Sequence, residues 1–182
     1  MLGLKRGTVK LVEYNPKWKQ GFSREAETIR DVLEQDCIDI QHVGSTAIPD
    51  ILAKPIIDIA VVVPTLEKAE FYQEKLREIG YDLKENDTRA ERLFFTKGPE
   101  NNRTHYLHLG ELKGVYVQDM ILFRDYLCRY KNFAEDYVSL KKDLTERYRD
   151  RRYDYTAGKE SFVKRVIKLA RESKLIDFHE KR

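Results

Sequence analysis

QHVGSTAIPDILAKPIIDIAVVV, residues 41–63, decides how the chain is read. It joins one apolar run, residues 38–43, to a second, residues 56–63, through a Gly-Ser-Thr turn. Alternation places Asp58, Ala60 and Val62 on one face of the second run and Ile57, Ile59, Val61 and Val63 on the other. Both faces are apolar, as in a central strand covered on both sides. The single acid, Asp58, therefore needs a metal ion or a charged partner to offset its burial. Gly44 permits close backbone approach. Ser45 and Thr46 can cap a helix with their hydroxyls, and free amides at a helix start hold anions. A plain capped turn satisfies the same residues. A short helix leading from the turn into the next strand would bring Ser45 and Asp58 to one edge of a sheet. His42 shares a strand face with Ile38 and Ile40; a hydrogen-bonded structural role is the commoner one for such a histidine.

Upstream, residues 9–14 alternate and predict a short strand. Asn15 and Pro16 then open a helix, as N-cap and first helical residue. Trp18, Phe22, Ala26, Ile29 and Leu33 give it an apolar stripe that ends near Gln35. Downstream, Thr65 caps a helix striped by Leu66, Ala69, Tyr72, Leu76 and Ile79, and Gly80 stops it. Residues 81–85, 92–97 and 104–109 predict strands, the last two forming a hairpin across the turn at 98–102. The sheet is thus mixed. Helices follow over 116–130, 133–148 and 156–173. The stretch 141–154 holds six bases and four acids, and reads as a solvated helix face rather than a nucleic-acid patch.

A chain of 182 residues is most simply one domain, 1–182. Charged residues at 36% against hydrophobic ones at 41% describe a globular protein, and a net charge of +3 does not imply nucleic acid as partner. Cys37 and Cys128 lack metal-type spacing and are expected as buried or half-buried free thiols. The first ten residues carry no apolar stretch of the signal-peptide kind, and no run reaches bilayer-spanning length. A soluble, cytoplasmic protein is expected.

Taken together, NPKW at 15–18, HVGSTAIP at 42–49, AKPIIDI at 53–59, RLFF at 92–95, RTHYLHL at 103–109, FRDYL at 123–127, YVSLKKDL at 137–144 and YTAGKESFV at 155–163 resemble the GrpB family. That family belongs to the nucleotidyltransferase (DNA polymerase β-like) superfamily. The resemblance covers most of the chain. It implies an α+β fold: a mixed β-sheet of the nucleotidyltransferase type flanked by helices, with a helical C-terminal segment at about 115–175. It further implies a Gly-Ser turn that grips nucleotide phosphates and strand acids that hold Mg²⁺, roles that fall here to Gly44, Ser45 and Asp58. The chain departs from the pattern at Ala60, where the superfamily usually carries a second acid on the same strand. A third acid is expected on a neighbouring strand. There, THYLHL offers Tyr106 and His108 on one face and His105 on the other, so His108 is the candidate for the missing ligand or for a general base. A histidine ligand would favour Mn²⁺ or a transition metal over Mg²⁺.

Two readings follow. In the first, the protein transfers a nucleotidyl or phosphoryl group from a nucleoside triphosphate to a small acceptor. Gly44, Ser45 and Thr46 hold phosphates, Asp58 and His108 hold Mg²⁺ or Mn²⁺, and Lys54, Arg92 and Lys97 neutralise phosphate charge. Each of these three cations has a plain surface role as its alternative. In the second, catalysis is lost and a nucleotide-binding or regulatory module remains.

Overall fold

A computed structural model describes residues 2–173. Five strands form one sheet in the order β1-β2-β5-β4-β3. They are β1 (Asp39–Val43), β2 (Ile57–Val63), β3 (Tyr81–Leu83), β4 (Leu93–Lys97) and β5 (His105–Glu111). β1 runs antiparallel to β2, β2 parallel to β5, and β5 and β3 antiparallel to β4. The sheet is mixed, as the hairpin at 92–109 predicts.

The alternation along β2 sorts its side chains as expected. Ile57, Ile59, Val61 and Val63 join a buried cluster with Trp18, Ile29 and Leu33 of α1 (Lys17–Leu33) and Tyr72 and Leu76 of α2 (Ala69–Glu78). Ala60 and Val62 face the other way, against Val43, Val117 and Ile121. Val117 and Ile121 belong to α3 (Val115–Arg129). α4 (Lys131–Arg147), α5 (Arg152–Ala157) and α6 (Glu160–Glu172) complete the layer on that side. Within it Leu127, Tyr137, Val166 and Ala170 make a second core, into which Ile48 and Ile51 of the β1–β2 connection insert. The turn that leaves β1 is thereby tied to the C-terminal helices.

Local chemistry explains the boundaries. The Asn15 carboxamide accepts a hydrogen bond from the Lys17 amide at 3.0 Å, with Pro16 at the helix entry. The Thr65 hydroxyl accepts from the Glu67 amide at 3.2 Å, and Gly80 at φ +86° turns the chain after α2.

Three expectations change. The run at 9–14 forms no strand: Val12 makes an isolated bridge to Ala53, and the Val9 amide donates to the Arg149 carbonyl instead of to a strand. The helix expected after the Gly-Ser-Thr turn is a single 3-10 turn, Ser45–Ala47. The helix expected over 156–173 breaks into α5 and α6 at Gly158, where a Cβ would lie 2.5 Å from Leu144 Cδ2. Positions 174–175 of the expected helical segment lie outside the described residues. Both cysteines are free thiols, Cys37 half-buried and Cys128 exposed rather than covered. Among the described residues no helix is long and apolar enough to cross a membrane.

Candidate functional site

The register of the sheet builds the site. Asp58 stands opposite Val43 of β1 and beside Tyr106 of β5, while Ala60 stands beside His108. Asp58 is half-buried, its side chain 27% exposed, and its Oδ1 lies 3.6 Å from His108 Nε2. Gly44 sits directly against it. At φ +68° the glycine already adopts a backbone that side chains disfavour, and a Cβ there would fall 2.4 Å from Asp58 Oδ2. The turn and the acid expected to meet at one corner do meet.

His108 is held from behind. Arg92 Nη1 donates to His108 Nδ1 at 3.1 Å and to the Tyr116 hydroxyl at 2.8 Å, and Arg92 Nη2 donates to the Asp87 carbonyl. A guanidinium only donates, so Nδ1 is the acceptor and the single proton of the neutral ring sits on Nε2, facing Asp58. Burial, aided by the Arg92 charge and opposed by Asp58, lowers the His108 pKa and keeps the ring neutral. With Nδ1 taken by Arg92 and Nε2 protonated, His108 presents no free lone pair to a metal ion or a proton in this arrangement. Its Nε2 N–H stands 3.6 Å from the Asp58 carboxylate. Arg92, expected to neutralise phosphate, is buried and spent on this support.

Lys97 is also displaced from its expected role. It pairs in register with His105 and Tyr81, on the face opposite Asp58, and its ammonium binds Glu25 of α1 at 2.7 Å. Thr46 is turned inward. Its hydroxyl donates to the Ile56 carbonyl at 3.3 Å and meets His42 Nε2 at 3.0 Å. Burial drives His42 to a pKa of about 4, so that ring is neutral and structural. The three-residue 3-10 turn offers no helix N-terminus for an anion.

Cations arrive instead from the helical layer. Lys141 of α4 is 1% exposed, and its ammonium donates to Ser45 Oγ at 3.3 Å and to the Leu52 carbonyl. Its Nζ lies 4.5 Å from the centre of the Tyr137 ring. Burial first, then the charge of Lys159, lowers its pKa to about 7. Lys54, half-buried ahead of β2, is lowered to about 7 by burial, then by Lys159 and Arg152, with Asp58 opposing and Lys141 adding to the shift. Lys54 and Lys159 both lie over the buried Tyr155 ring, at 5.6 and 4.6 Å, and Arg152 lies over Tyr106 at 5.0 Å. Sequence reasoning took 141–154 as a solvated face and missed Lys141. The signal was there: four residues after Tyr137 and three before Leu144, Lys141 falls on the buried stripe of its helix.

The donor set does not fit the two-ion centre that this fold class implies. Asp58 is the one carboxylate on this face of β2, Ala60 is fully buried among apolar side chains, and His108 offers no lone pair. Among the described residues no group of three or more His, Cys, Asp and Glu side chains is placed to hold a metal ion.

The fold is of the nucleotidyltransferase type. It is similar to that of the Cid1 poly(U) polymerase, whose MgGTP-bound structure aligns with a TM-score of 0.51 at 16% identity over 74% of this chain and 44% of that one. The sequence profile of the GrpB protein family matches residues 8–169, and the chain belongs to that family. Glutamate-rich protein GrpB of Alkalihalophilus pseudofirmus is 39% identical over 171 residues, 92% of this chain and 98% of that protein. UPF0157 protein YqkA of Bacillus subtilis is 36% identical over 166 residues; the match spans 91% of this chain but 48% of YqkA, about half of its length. The crystal structure of conserved protein GrpB from Enterococcus faecalis aligns with a TM-score of 0.83 at 32% identity, over 90% of this chain and 98% of that one.

Proposed function

We propose that the chain binds a nucleoside triphosphate by its phosphates, at the corner where Gly44, Ser45 and Asp58 meet the lysines of the helical layer. One observation carries this reading. Lys141 is buried with its ammonium on Ser45 Oγ and on a backbone carbonyl, and among the described residues no carboxylate pairs with it. A buried, unbalanced ammonium costs free energy, and a phosphate docking there offsets that cost. The similarity of fold to a polymerase structure that holds GTP supports a nucleotide as the carrier of the phosphates.

Binding without efficient transfer is the function the geometry supports best. Ala60 packs in an apolar cluster with Val43, Val62, Val117 and Ile121, where a second carboxylate would belong, and Arg92 occupies Nδ1 of His108. A second reading, nucleotidyl or phosphoryl transfer to a small acceptor, is favoured by Asp58. Its side chain is partly accessible, and a carboxylate there could take a proton from an acceptor hydroxyl.

A thermal-shift screen of nucleoside triphosphates, with and without Mg²⁺ and Mn²⁺, tests the binding. Ligand at about 100 times its Kd adds about 2.7 kcal/mol, on the order of 5–10 °C for a chain of this size. Ser45→Ala should shrink the shift while the free protein stays folded. Absence of any shift at millimolar nucleotide rejects the proposal. Pyrophosphate release in the presence of small acceptors, lost in Asp58→Asn, would establish the second reading over the first.

A further inference from the structure

We infer that the phosphate chain is neutralised by the protein's own cations, Lys54, Lys141, Arg152 and Lys159, and that its binding requires no divalent metal. The inference rests on the reading that a phosphorylated ligand occupies this corner, and adds what carries the opposing charge.

Four separate segments supply the cations: the loop ahead of β2, α4, the start of α5 and the α5–α6 junction. The sheet and the helices bring them to one place. Lys54 and Lys159 share the Tyr155 ring, and Arg152 covers Tyr106, which is Asp58's neighbour across β2 and β5. Lys141 reaches Ser45, next to the glycine that abuts Asp58. Placed so close, the cations repel one another: Lys159, Arg152 and Lys141 lower the pKa of Lys54, and Lys159 lowers that of Lys141. Among the described residues none of the four makes an ion pair with a carboxylate, whereas Lys68, Lys97, Lys164 and Arg171 all do. Unpaired like charges gathered at one corner are unfavourable to the folded chain on its own and favourable to a polyanion. Aromatic faces beneath all four hold the cations in place without cancelling their charge.

A two-ion site places positive charge on phosphates through metals held by carboxylates. Here the carboxylates are reduced to Asp58, and the positive charge is built into side chains. Lysine and arginine bind phosphate oxygens directly by charge-assisted hydrogen bonds. Several cations spread over four segments suit a chain of phosphates better than a single one.

Isothermal titration of the full chain with inorganic tripolyphosphate, ATP and AMP, in excess EDTA and again in Mg²⁺, tests the inference. Tripolyphosphate and ATP should bind in EDTA with affinities within about threefold of each other, and AMP about tenfold or more weakly, since each lost charge-assisted contact is worth about tenfold. Lys54→Met and the double variant Arg152→Gln/Lys159→Gln should each weaken tripolyphosphate about tenfold or more. The double variant changes only half-buried side chains and keeps the test valid if Lys54→Met folds poorly. Affinity should fall as salt rises. Binding of ATP in Mg²⁺ but not in EDTA overturns this inference and leaves the nucleotide reading standing. Failure of every phosphate with and without metal rejects both. A single-stranded RNA that binds more tightly than tripolyphosphate would overturn it in favour of a nucleic-acid surface.

Discussion

The two faces of the sheet follow different rules. Against α1 and α2, Ile57, Ile59, Val61 and Val63 merge with Phe95, Leu107, Leu109, Trp18 and Tyr72 into one continuous apolar cluster. Against α3 to α6, the apolar contacts divide into several smaller clusters. Between them stand Asp58, Arg92, His108 and Lys141, all buried or half-buried. The first face supplies cohesion. The second gives up part of its cohesion to hold charges in positions that a well-packed core would not accept. The same five strands serve both ends because alternation lets one strand contribute to each.

The contrast can be broken from either side. The largest effect belongs to the closed face. Phe95→Ala, at a fully buried side chain, should cost about 3–5 kcal/mol in a denaturant melt. Affinity for tripolyphosphate per folded molecule should stay within about twofold, and a larger loss would show that the faces are not separable.

On the open face the sign reverses. Lys141→Met should raise stability by about 1–3 kcal/mol at pH 7, net of the bonds lost at Ser45 and Leu52. The pH dependence checks the cause. The folded pKa of Lys141, about 7, lies below its ordinary value of 10.5. The unfolded chain therefore holds the proton to higher pH, so the cost of burial is full below about pH 7 and fades as pH rises toward 10.5. Lys159 and Lys54 are the charges that face it, with Ser45, the Leu52 carbonyl and the Tyr137 ring as its other neighbours. The advantage of the methionine variant should shrink between pH 7 and 10. An advantage that grows over that range would refute the buried-charge account.

The smallest effect sharpens the boundary. Lys97→Met removes the half-buried pair with Glu25 on the closed face and should cost about 1 kcal/mol or less. Tripolyphosphate titration should be unaffected, although sequence reasoning had placed Lys97 with the phosphate ligands.

What was legible in the sequence followed from periodicity. The acid within residues 56–63 is conspicuous because alternation predicts two apolar faces there, and the same alternation along 104–109 puts His108 on the face that Asp58 shares. Gly44 was legible as a close-approach residue because few other roles suit a glycine between a strand and hydroxyl residues. Side-chain partnership was not legible. Arg92 and Lys97 flank one strand five residues apart and carry the same charge, yet one supports His108 and the other crosses to Glu25. Strand parity decides between them, and parity carries meaning only once the register of β4 on β5 is known. Lys141 was hidden by composition: the charged residues just after it, Lys142, Asp143, Glu146 and Arg147, are exposed, and a lysine among them passes for one of the same kind. The three-residue turn at Ser45–Ala47 was overread as a helix because hydroxyl caps are common to both.

The contact between Lys141 and Ser45 spans 96 positions of the chain. At about 5–20 residues per second of synthesis, the hydroxyl leaves the ribosome about 5–20 s before the ammonium that meets it. During that interval strands β1 to β5 can assemble behind a corner that still lacks its cations. A nascent chain arrested before α4 should therefore acquire the sheet and remain indifferent to phosphate, and competence should arrive late in translation, with the last helices.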